Sequence, residues 1–411
     1  MYDDATAQLQ DFLLLQRVAH RISSILDLDV LLEQIVEDVA STFGYSRSGI
    51  LLLDEARGDL VIVAVRGWTT NYHIKGDRFG LDYGMIGYVA STGRMHYAPD
   101  VRLEPHYQVS EPSTLSEVDV PIRARDRLIG VFNAQHAEVD AFPPHRLQLL
   151  EALAGHIGIA VDNARMFERE RRERERMGRD LADARAIQTR LFPETAPSVP
   201  GFRLTGLSKP CLEVGGDWFD YIALPDGRVG IVLGDVAGKG PGAALLMTST
   251  RSVLRMHAER GGSPATVLAG VNEVLRTDLP ASRFVTLIYA VLDPVARTIT
   301  YANAGHPPPA LAASDRIEVL RHRSELPLGI RNGAYTDRRL TLAPGDRIVL
   351  YSDGLTEARN PAGEEFGTER LVRSTSAPES TASSLLEAVE AHAGDRPFAD
   401  DVTIVVVEAE P

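Results

Sequence analysis

Four short stretches of this chain set carboxylates where chemistry can use them. In the first, an apolar strand from Val229 to Leu233 breaks into Gly234-Asp235-Val236-Ala237-Gly238-Lys239-Gly240 and restarts as a helix. Upstream lies Glu213-Val214-Gly215-Gly216-Asp217-Trp218-Phe219-Asp220, and downstream Ile348-Val349-Leu350-Tyr351-Ser352-Asp353-Gly354. The fourth is Ala399-Asp400-Asp401-Val402-Thr403-Ile404-Val405-Val406-Val407. Each puts an acid at the edge of an apolar strand or beside glycine, so that the side chain projects from a rigid sheet while the backbone stays open to a ligand. The acids recur without nearby Lys or Arg partners.

A lone Asp-Gly is ordinary turn chemistry. Four acids placed alike ask for more, because converging carboxylates repel unless something cationic sits between them. Oxygen-only donors select hard divalent ions such as Mg²⁺ or Mn²⁺, so the expectation is a metal site.

At these residues the chain resembles the PPM-type (type 2C-like), metal-dependent serine/threonine phosphatases, in their bacterial branch of sporulation and general-stress-response phosphatases. The resemblance runs from about Gln188 onward. It is carried by Ile187-Gln188 through Leu191-Phe192-Pro193, by Val214 to Asp220, by Gly234 to Gly240, by Phe284 to Tyr289, by Asn303-Ala304-Gly305-His306, by Tyr351 to Ala358 with Asp353 and Glu357, and by Asp400-Asp401-Val402-Thr403. Together and in this order the motifs are specific; each alone is weak.

The resemblance implies two-metal hydrolysis of a phosphoserine or phosphothreonine, with two cations about 3.5 to 4 Å apart and no side-chain nucleophile. Asp235 would bridge both ions, the Val236 carbonyl would add a ligand, Asp217 would serve one ion, and Asp353 with Asp400 the other. Asp401 competes with Asp400 for that place. Asp220 reads as supporting or structural, Lys239 as touching substrate or solvating its loop, and Asn303 with His306 as a turn or a substrate contact. The substrate implied is a small regulatory protein of the anti-sigma-factor-antagonist type. The competing reading is a catalytically silent sensor or scaffold. A diguanylate cyclase is excluded because Trp218 stands where its signature needs an acid, and a P-loop because Leu233 and Gly240 replace its leading glycine and its Ser/Thr.

The elements that must position these acids follow from the rest of the chain. Its 411 residues, 44% hydrophobic and 24% charged, suit two or three soluble globular domains. A formal charge of −14, from 43 basic against 57 acidic residues, argues against a nucleic-acid binder. A single cysteine, Cys211, gives no disulfide framework and fits a reducing compartment. No apolar run approaches the roughly 18 residues of a membrane span and no signal pattern opens the sequence, so a cytoplasmic location is expected.

Residues 5 to 43 read as two helices, from Leu9, Phe12, Leu13 and then Leu31, Leu32, Ile35, Val39 at three- and four-residue spacing. Strands follow at Gly49 to Leu53 and Leu60 to Val65, a helix at Met85 to Ser91, and strands at Ser116 to Ile122 and Leu128 to Asn133. From about Leu28 to Phe167 this order resembles a GAF sensory domain, which implies a small-molecule or protein signal, or dimerisation alone. The region lacks the cysteine a bilin needs, and His73, His96, His106 and His136 read as scattered rather than as haem ligands. Its ligand is not legible.

A long helix opens at Pro143-Pro144. Leu153, Ile157, Ala160, Ala164 and Phe167 form a seam suited to a partner helix, which Met177, Leu181, Ala184, Gln188 and Leu191 resume beyond the fully charged block Glu168 to Arg176. A parallel homodimer through this linker is expected. Prolines 193, 197 and 200 end the helix, and a β-rich region follows with strands at Phe202, Trp218, Val229, Phe284, Thr298, Arg347 and Val402. The division expected is residues 1–27 an N-terminal helix, 28–163 the GAF domain, 164–192 a coiled-coil linker and 193–411 the phosphatase domain. The fold class is α+β, the last domain being an α-β-β-α sandwich as the resemblance implies.

Overall fold

The computed structural model describes residues 28–68, 73–109, 111–280, 282–314, 316–322, 325–377 and 380–411. The helix expected before residue 28 lies outside the described residues. Two compact units divide between Glu175 and Arg176.

The first described element of the N-terminal unit is the helix Leu28–Phe43, whose Leu31, Leu32, Ile35, Val36 and Val39 are buried along one stripe. A hairpin of β1 (Arg47–Asp54) and β2 (Asp59–Arg66) follows, and then β3 (Arg78–Gly80) and the helix Gly84–Thr92. Gly93 stops that helix in the left-handed region, its N–H donating to the Val89 carbonyl. After β4 (His96–Ala98), β5 (Ser116–Ala124) and β6 (Arg127–His136) complete an antiparallel sheet of order β3-β2-β1-β6-β5-β4. The three-residue strands β3 and β4 escape sequence reading because so short a run carries no period.

The long helix Pro144–Thr189 is continuous through the charged block. Its opening turns correct one expectation. Leu153, Ile157 and Ala160, read as a seam for a partner helix, are buried with Leu150, Ala154 and Val161 against Ile50, Val120 and Phe132 of the sheet. An apolar helical stripe looks the same whether a sheet or a second helix covers it, and here the sheet does. At the other end, Gln188 is buried and Leu191 packs against the C-terminal core.

The C-terminal unit contains β7 (Phe202–Lys209), β8 (Trp218–Ala223), β9 (Val229–Val236), β10 (Val285–Asp293), β11 (Thr298–Ala304), β12 (Ala310–Ala312), β13 (Ile317–Val319), β14 (Arg338–Thr341), β15 (Arg347–Tyr351) and β16 (Val402–Ala409). They form two antiparallel sheets, ordered β14-β11-β10-β9-β8 and β13-β12-β15-β16-β7. Phe219, Ile231, Leu233 and Ile288 of one meet Leu204, Ile348, Leu350 and Val405 of the other. The helices Pro241–Glu259 and Pro264–Asp278 cover the outer face of the first sheet through Met247, Leu254 and Val271. The helices Gly367–Thr375 and Ala382–Ala393 cover the second through Leu371, Leu385 and Val389. This is the α-β-β-α layering expected.

Candidate functional site

Strand periodicity decides which acids meet. Side chains alternate faces along a strand, so Phe219 and Tyr221, buried between the sheets, put Asp217 on the same inner face of β8. On β9 the inner stripe Val229, Ile231, Leu233 continues to Asp235, and on β10 Ile288 and Ala290 continue back to Thr286, the cross-strand partner of Asp235. Opposite, Ile348 and Leu350 lead to Ser352, and Val407 and Val405 lead back to Thr403. The apolar layer thus ends, at one mouth of the sandwich, in a ring of acids and hydroxyls.

Burial there leaves the acids strongly perturbed. Asp217 is 4% exposed, and burial, then the Asp235 charge, holds its carboxyl well above the usual range, opposed by the nearby hydroxyls of Ser352 and Thr403. Asp235 is pushed up to about 7 by burial and by Asp353, with Asp400 and Asp401 adding repulsion, while a hydrogen bond with Asp217 favours its ionised form. Burial and repulsion among the acids thus disfavour the ionised forms of both Asp217 and Asp235. Asp353, at the start of the short helix Asp353–Glu357, is raised by burial and then by Asp400.

Asp400 and Asp401 divide their labour. Asp401 is buried and accepts from the backbone N–H groups of Cys211 (2.8 Å), Gly216 (3.0 Å) and Asp217 (3.4 Å). It fastens the loop that carries Asp217, and a Cβ on Gly215 would collide with its carboxylate. Asp400 is partly exposed, pairs with Lys239 at 2.9 Å and caps the Asp401 N–H at 2.9 Å. Lys239 also donates to the Ala399 carbonyl. The reading of these acids as lacking basic partners is thus corrected for Asp400, because the Lys239 turn reaches across from another strand. The Cys211 thiol lies beside both, its Sγ and one oxygen of each carboxylate within 4.8 Å of one another, and burial raises it to about 11. Asp217, Asp235 and Asp353 do not converge that tightly among the described residues.

Asp220 has an odd offset from Asp217 and so faces the outer layer. It is 2% exposed and lies 3.0 Å from Arg251 and 3.1 Å from Arg255 of the helix Pro241–Glu259. Neither contact is aligned as a hydrogen bond, so the attraction is mainly coulombic. This too corrects the expectation of partnerless acids. Asn303 and His306 build a turn: Asn303 Nδ2 donates to the His306 carbonyl (2.9 Å) and the His306 N–H to Asn303 Oδ1 (2.7 Å). The His306 ring meets the Thr286 hydroxyl at 2.8 Å, and burial pushes its pKa down to about 3.

Sequence reading assigns no role to Thr403 or Arg283 and takes Ser352 as packing or capping around Asp353, whereas its side chain makes no cap hydrogen bond there. Ser352 and Thr403 could have been found by extending the inner stripes of β15 and β16, since Ser352 Oγ accepts from the Thr403 N–H (2.9 Å) and donates to the Asp401 carbonyl (3.1 Å). Arg283, which donates to the Ala237 carbonyl and lies against Gly238, carries no motif. Among the described residues the histidines of the N-terminal unit are not all scattered either, because His96 and His106 both contact Glu104 at 2.9 Å.

The donor set fits a hard cation. Asp217 Oδ2 is buried without a hydrogen-bond partner, and the charges of Asp217 and Asp235 repel in a way that a divalent ion would relieve. The Val236 carbonyl stands next to Gly216, where a Cβ would approach it to 2.8 Å.

Two sheets with outer helices and an acid-lined mouth give the C-terminal unit a PP2C-like fold, and the N-terminal unit has a GAF architecture. The family described as Stage II sporulation protein E (SpoIIE) matches residues 225–410, and the GAF domain family matches residues 27–161, so the chain carries a domain of each. The chain is 28% identical over 260 residues to Protein IcfG of Synechocystis sp., covering 56% of this chain and 41% of that protein. It is 31% identical over 186 residues to the phosphoserine phosphatase RsbU of Bacillus subtilis, covering 45% and 55%. It thus spans about half the length of these relatives. The SiaA-PP2C domain of Pseudomonas aeruginosa superposes with a TM-score of 0.52 at 24% identity, over 57% of this chain and 98% of that one. Among the described residues no helix is long and apolar enough to cross a membrane.

Proposed function

We propose that the chain is a metal-dependent protein phosphatase that hydrolyses phosphoserine or phosphothreonine on a small regulatory protein of the anti-sigma-factor-antagonist type. The observation that carries the reading is the buried, unpartnered Asp217 Oδ2 beside Asp235, on the inner stripes that end at the open mouth of the sandwich. The name of the relative RsbU, a phosphoserine phosphatase, supports the substrate class.

Asp217, Asp235, Asp353, Asp400 and the Val236 carbonyl would hold two Mn²⁺ or Mg²⁺ ions, which would supply the positive charge for activating water and neutralising phosphoryl oxygens. The residues around them set the geometry. Asp401 is better used as a clamp than as a ligand, since its oxygens already take the N–H groups of the Asp217 loop. Ser352 ties β15 to the Asp401–Thr403 backbone beside Asp217, accepting from the Thr403 N–H and donating to the Asp401 carbonyl. Lys239 restrains Asp400 and leaves a cation at the rim for an incoming phosphate. His306, neutral and tied into its own turn, is not the acid for the leaving group.

The N-terminal unit would act as sensor and the long helix as its output, with the chain working as a parallel homodimer. A Mn²⁺-dependent p-nitrophenyl phosphate assay tests the catalytic reading: turnover abolished by chelation supports it, and a folded protein with no turnover favours the silent scaffold. Screening phosphorylated antagonist proteins from the same organism tests the substrate.

A further inference from the structure

The N-terminal unit holds a half-enclosed cavity over its sheet, whose water-accessible interior is about 50 Å³, room for a compact ligand only. One wall is aromatic. Trp68, Phe79 and Tyr83 line it with His73, in a chain of ring contacts with centroids 6.2, 5.2 and 4.7 Å apart.

The other wall is polar and almost wholly acceptor. The β5–β6 register pairs Glu117 with Gln135 and Asp119 with Asn133, which puts all four on one face. Asn133 Nδ2 donates to Glu117 Oε1 (3.0 Å) and Asp119 Oδ1 (2.8 Å), and Gln135 Nε2 donates to Glu117 Oε2 (3.0 Å). Asn133 Oδ1 and Asp119 Oδ2 remain buried without partners. Glu117, Asn133 and Asp119 are 5%, 4% and 0% exposed. No ion pair reaches either carboxylate among the described residues. The Arg47 guanidinium is joined to them only through Thr114 and Gln135, and lies closer to Glu111.

Two adjacent buried carboxylates without a cation are costly to ionise. Burial, then mutual repulsion, raises Glu117 well above its usual range, and burial raises Asp119 to about 7. The acceptor wall and the π faces opposite it favour the same occupant, one with several N–H donors and a positive charge.

We propose that this cavity binds a compact organic cation, an ammonium, amidinium or guanidinium group on a small apolar body, with its N–H groups on Glu117 and Asn133 and its charge against the rings of Trp68 and Tyr83. An anion would face Glu117, and a neutral hydroxyl compound would satisfy one acceptor at most. The proposal is independent of what the C-terminal unit catalyses.

Calorimetry of the full chain with benzamidine, benzylamine, benzyl alcohol and benzoate tests it. The two cations should bind at least tenfold more tightly than benzyl alcohol, and benzoate should not bind. Glu117→Gln should erase the preference, and Trp68→Leu should weaken both cations about tenfold while sparing the acid pair. Because the wild-type comparison needs no variant, it stands even if a variant misfolds. Benzyl alcohol or benzoate binding as tightly as the cations, or none of the four binding at millimolar concentration, would overturn the proposal.

Discussion

Gln188 grips Gly215 by both ends of its amide: Nε2 donates to the Gly215 carbonyl at 2.7 Å, and the Gly215 N–H donates to Oε1 at 3.1 Å. The last turn of the long helix is thereby fixed to the loop two residues before Asp217. Both partners are buried, so truncation leaves an N–H and a carbonyl unsatisfied. Gln188→Ala should cost about 2 kcal/mol in urea unfolding of the C-terminal unit. It should also lower phosphatase turnover about tenfold by loosening Asp217. Unchanged turnover would mean that the helix end only packs.

Asp235, Asp220 and Asp401 separate three roles that look alike in sequence. Asp235→Asn should reduce turnover by roughly three orders of magnitude while the metal-free protein melts no lower, since the change relieves repulsion among buried acids. Asp220→Asn should leave metal affinity intact but destabilise the fold by about 2 kcal/mol, a figure discounted for the partial exposure of Arg255, because Arg251 and Arg255 lose their counter-charge. Asp401→Asn should weaken metal binding through the loop that it clamps. Equal losses of turnover for Asp235→Asn and Asp220→Asn would overturn the assignment.

Chelation should abolish activity and Mn²⁺ or Mg²⁺ restore it, with Cys211→Ser close to wild type. The Cys211 thiol, raised to about 11 by burial and then by Asp401, is almost wholly protonated at pH 8. Iodoacetamide should therefore react at least tenfold more slowly than with a free thiol, as mass spectrometry can follow. Rapid alkylation, or loss of turnover in a folded Cys211→Ser variant, would contradict this placement.

The buried acid pair of the N-terminal unit predicts a pH dependence. Asp119 is raised from 3.8 to about 7, so below pH 4 it is protonated whether folded or not and carries no penalty. As pH rises from 4 towards 7 the unfolded state ionises first, and stability falls until the folded group also ionises. Wild type should therefore lose stability relative to Asp119→Asn between pH 5 and 7 and level off above. Urea unfolding read by Trp68 in a Trp218→Phe background isolates this unit. A difference that is flat with pH would refute the shift.

The α+β layering was legible from strands grouped with helices and from the family resemblance, whereas the alternation of faces along β8, β9, β15 and β16 is masked because both faces of each sheet are buried. The same alternation contained more than was drawn from it. Asp217 and Asp220 differ by three residues, so period two alone sends them to opposite faces. The division between Asp400 and Asp401 was not legible, since it depends on which N–H groups the Cys211–Asp217 loop presents 185 to 190 residues away in sequence. The polar wall of the N-terminal unit was hidden for a different reason: the β5–β6 hairpin pairs Glu117 with Gln135, but a register shift between Ile122 and Arg123 lies between them and the turn.

The long helix carries the last prediction. At about 100° per residue the buried positions Leu153, Ile157 and Ala160 lie roughly 120° around the helix from Met177, Leu181 and Ala184. The expected seam is therefore not one stripe. The face left open is marked by Ile159, Met166 and Met177, which are 55%, 57% and 64% exposed at spacings of seven and eleven residues. Within the charged block this face passes through Glu170 and Glu173, while Arg171 and Arg174 lie to its side. They pair along the helix with Glu175 (2.9 Å) and Glu170 (2.8 Å). A parallel dimer along the open face would be weakened where Glu170 and Glu173 approach their own copies. Glu170→Leu with Glu173→Leu should tighten dimerisation at least tenfold in sedimentation equilibrium and hold phosphatase activity at one level whatever occupies the N-terminal cavity. Arg171→Leu with Arg174→Leu should do neither. A chain that stays monomeric at ten micromolar in both wild type and the Glu pair variant would remove the dimer from the account.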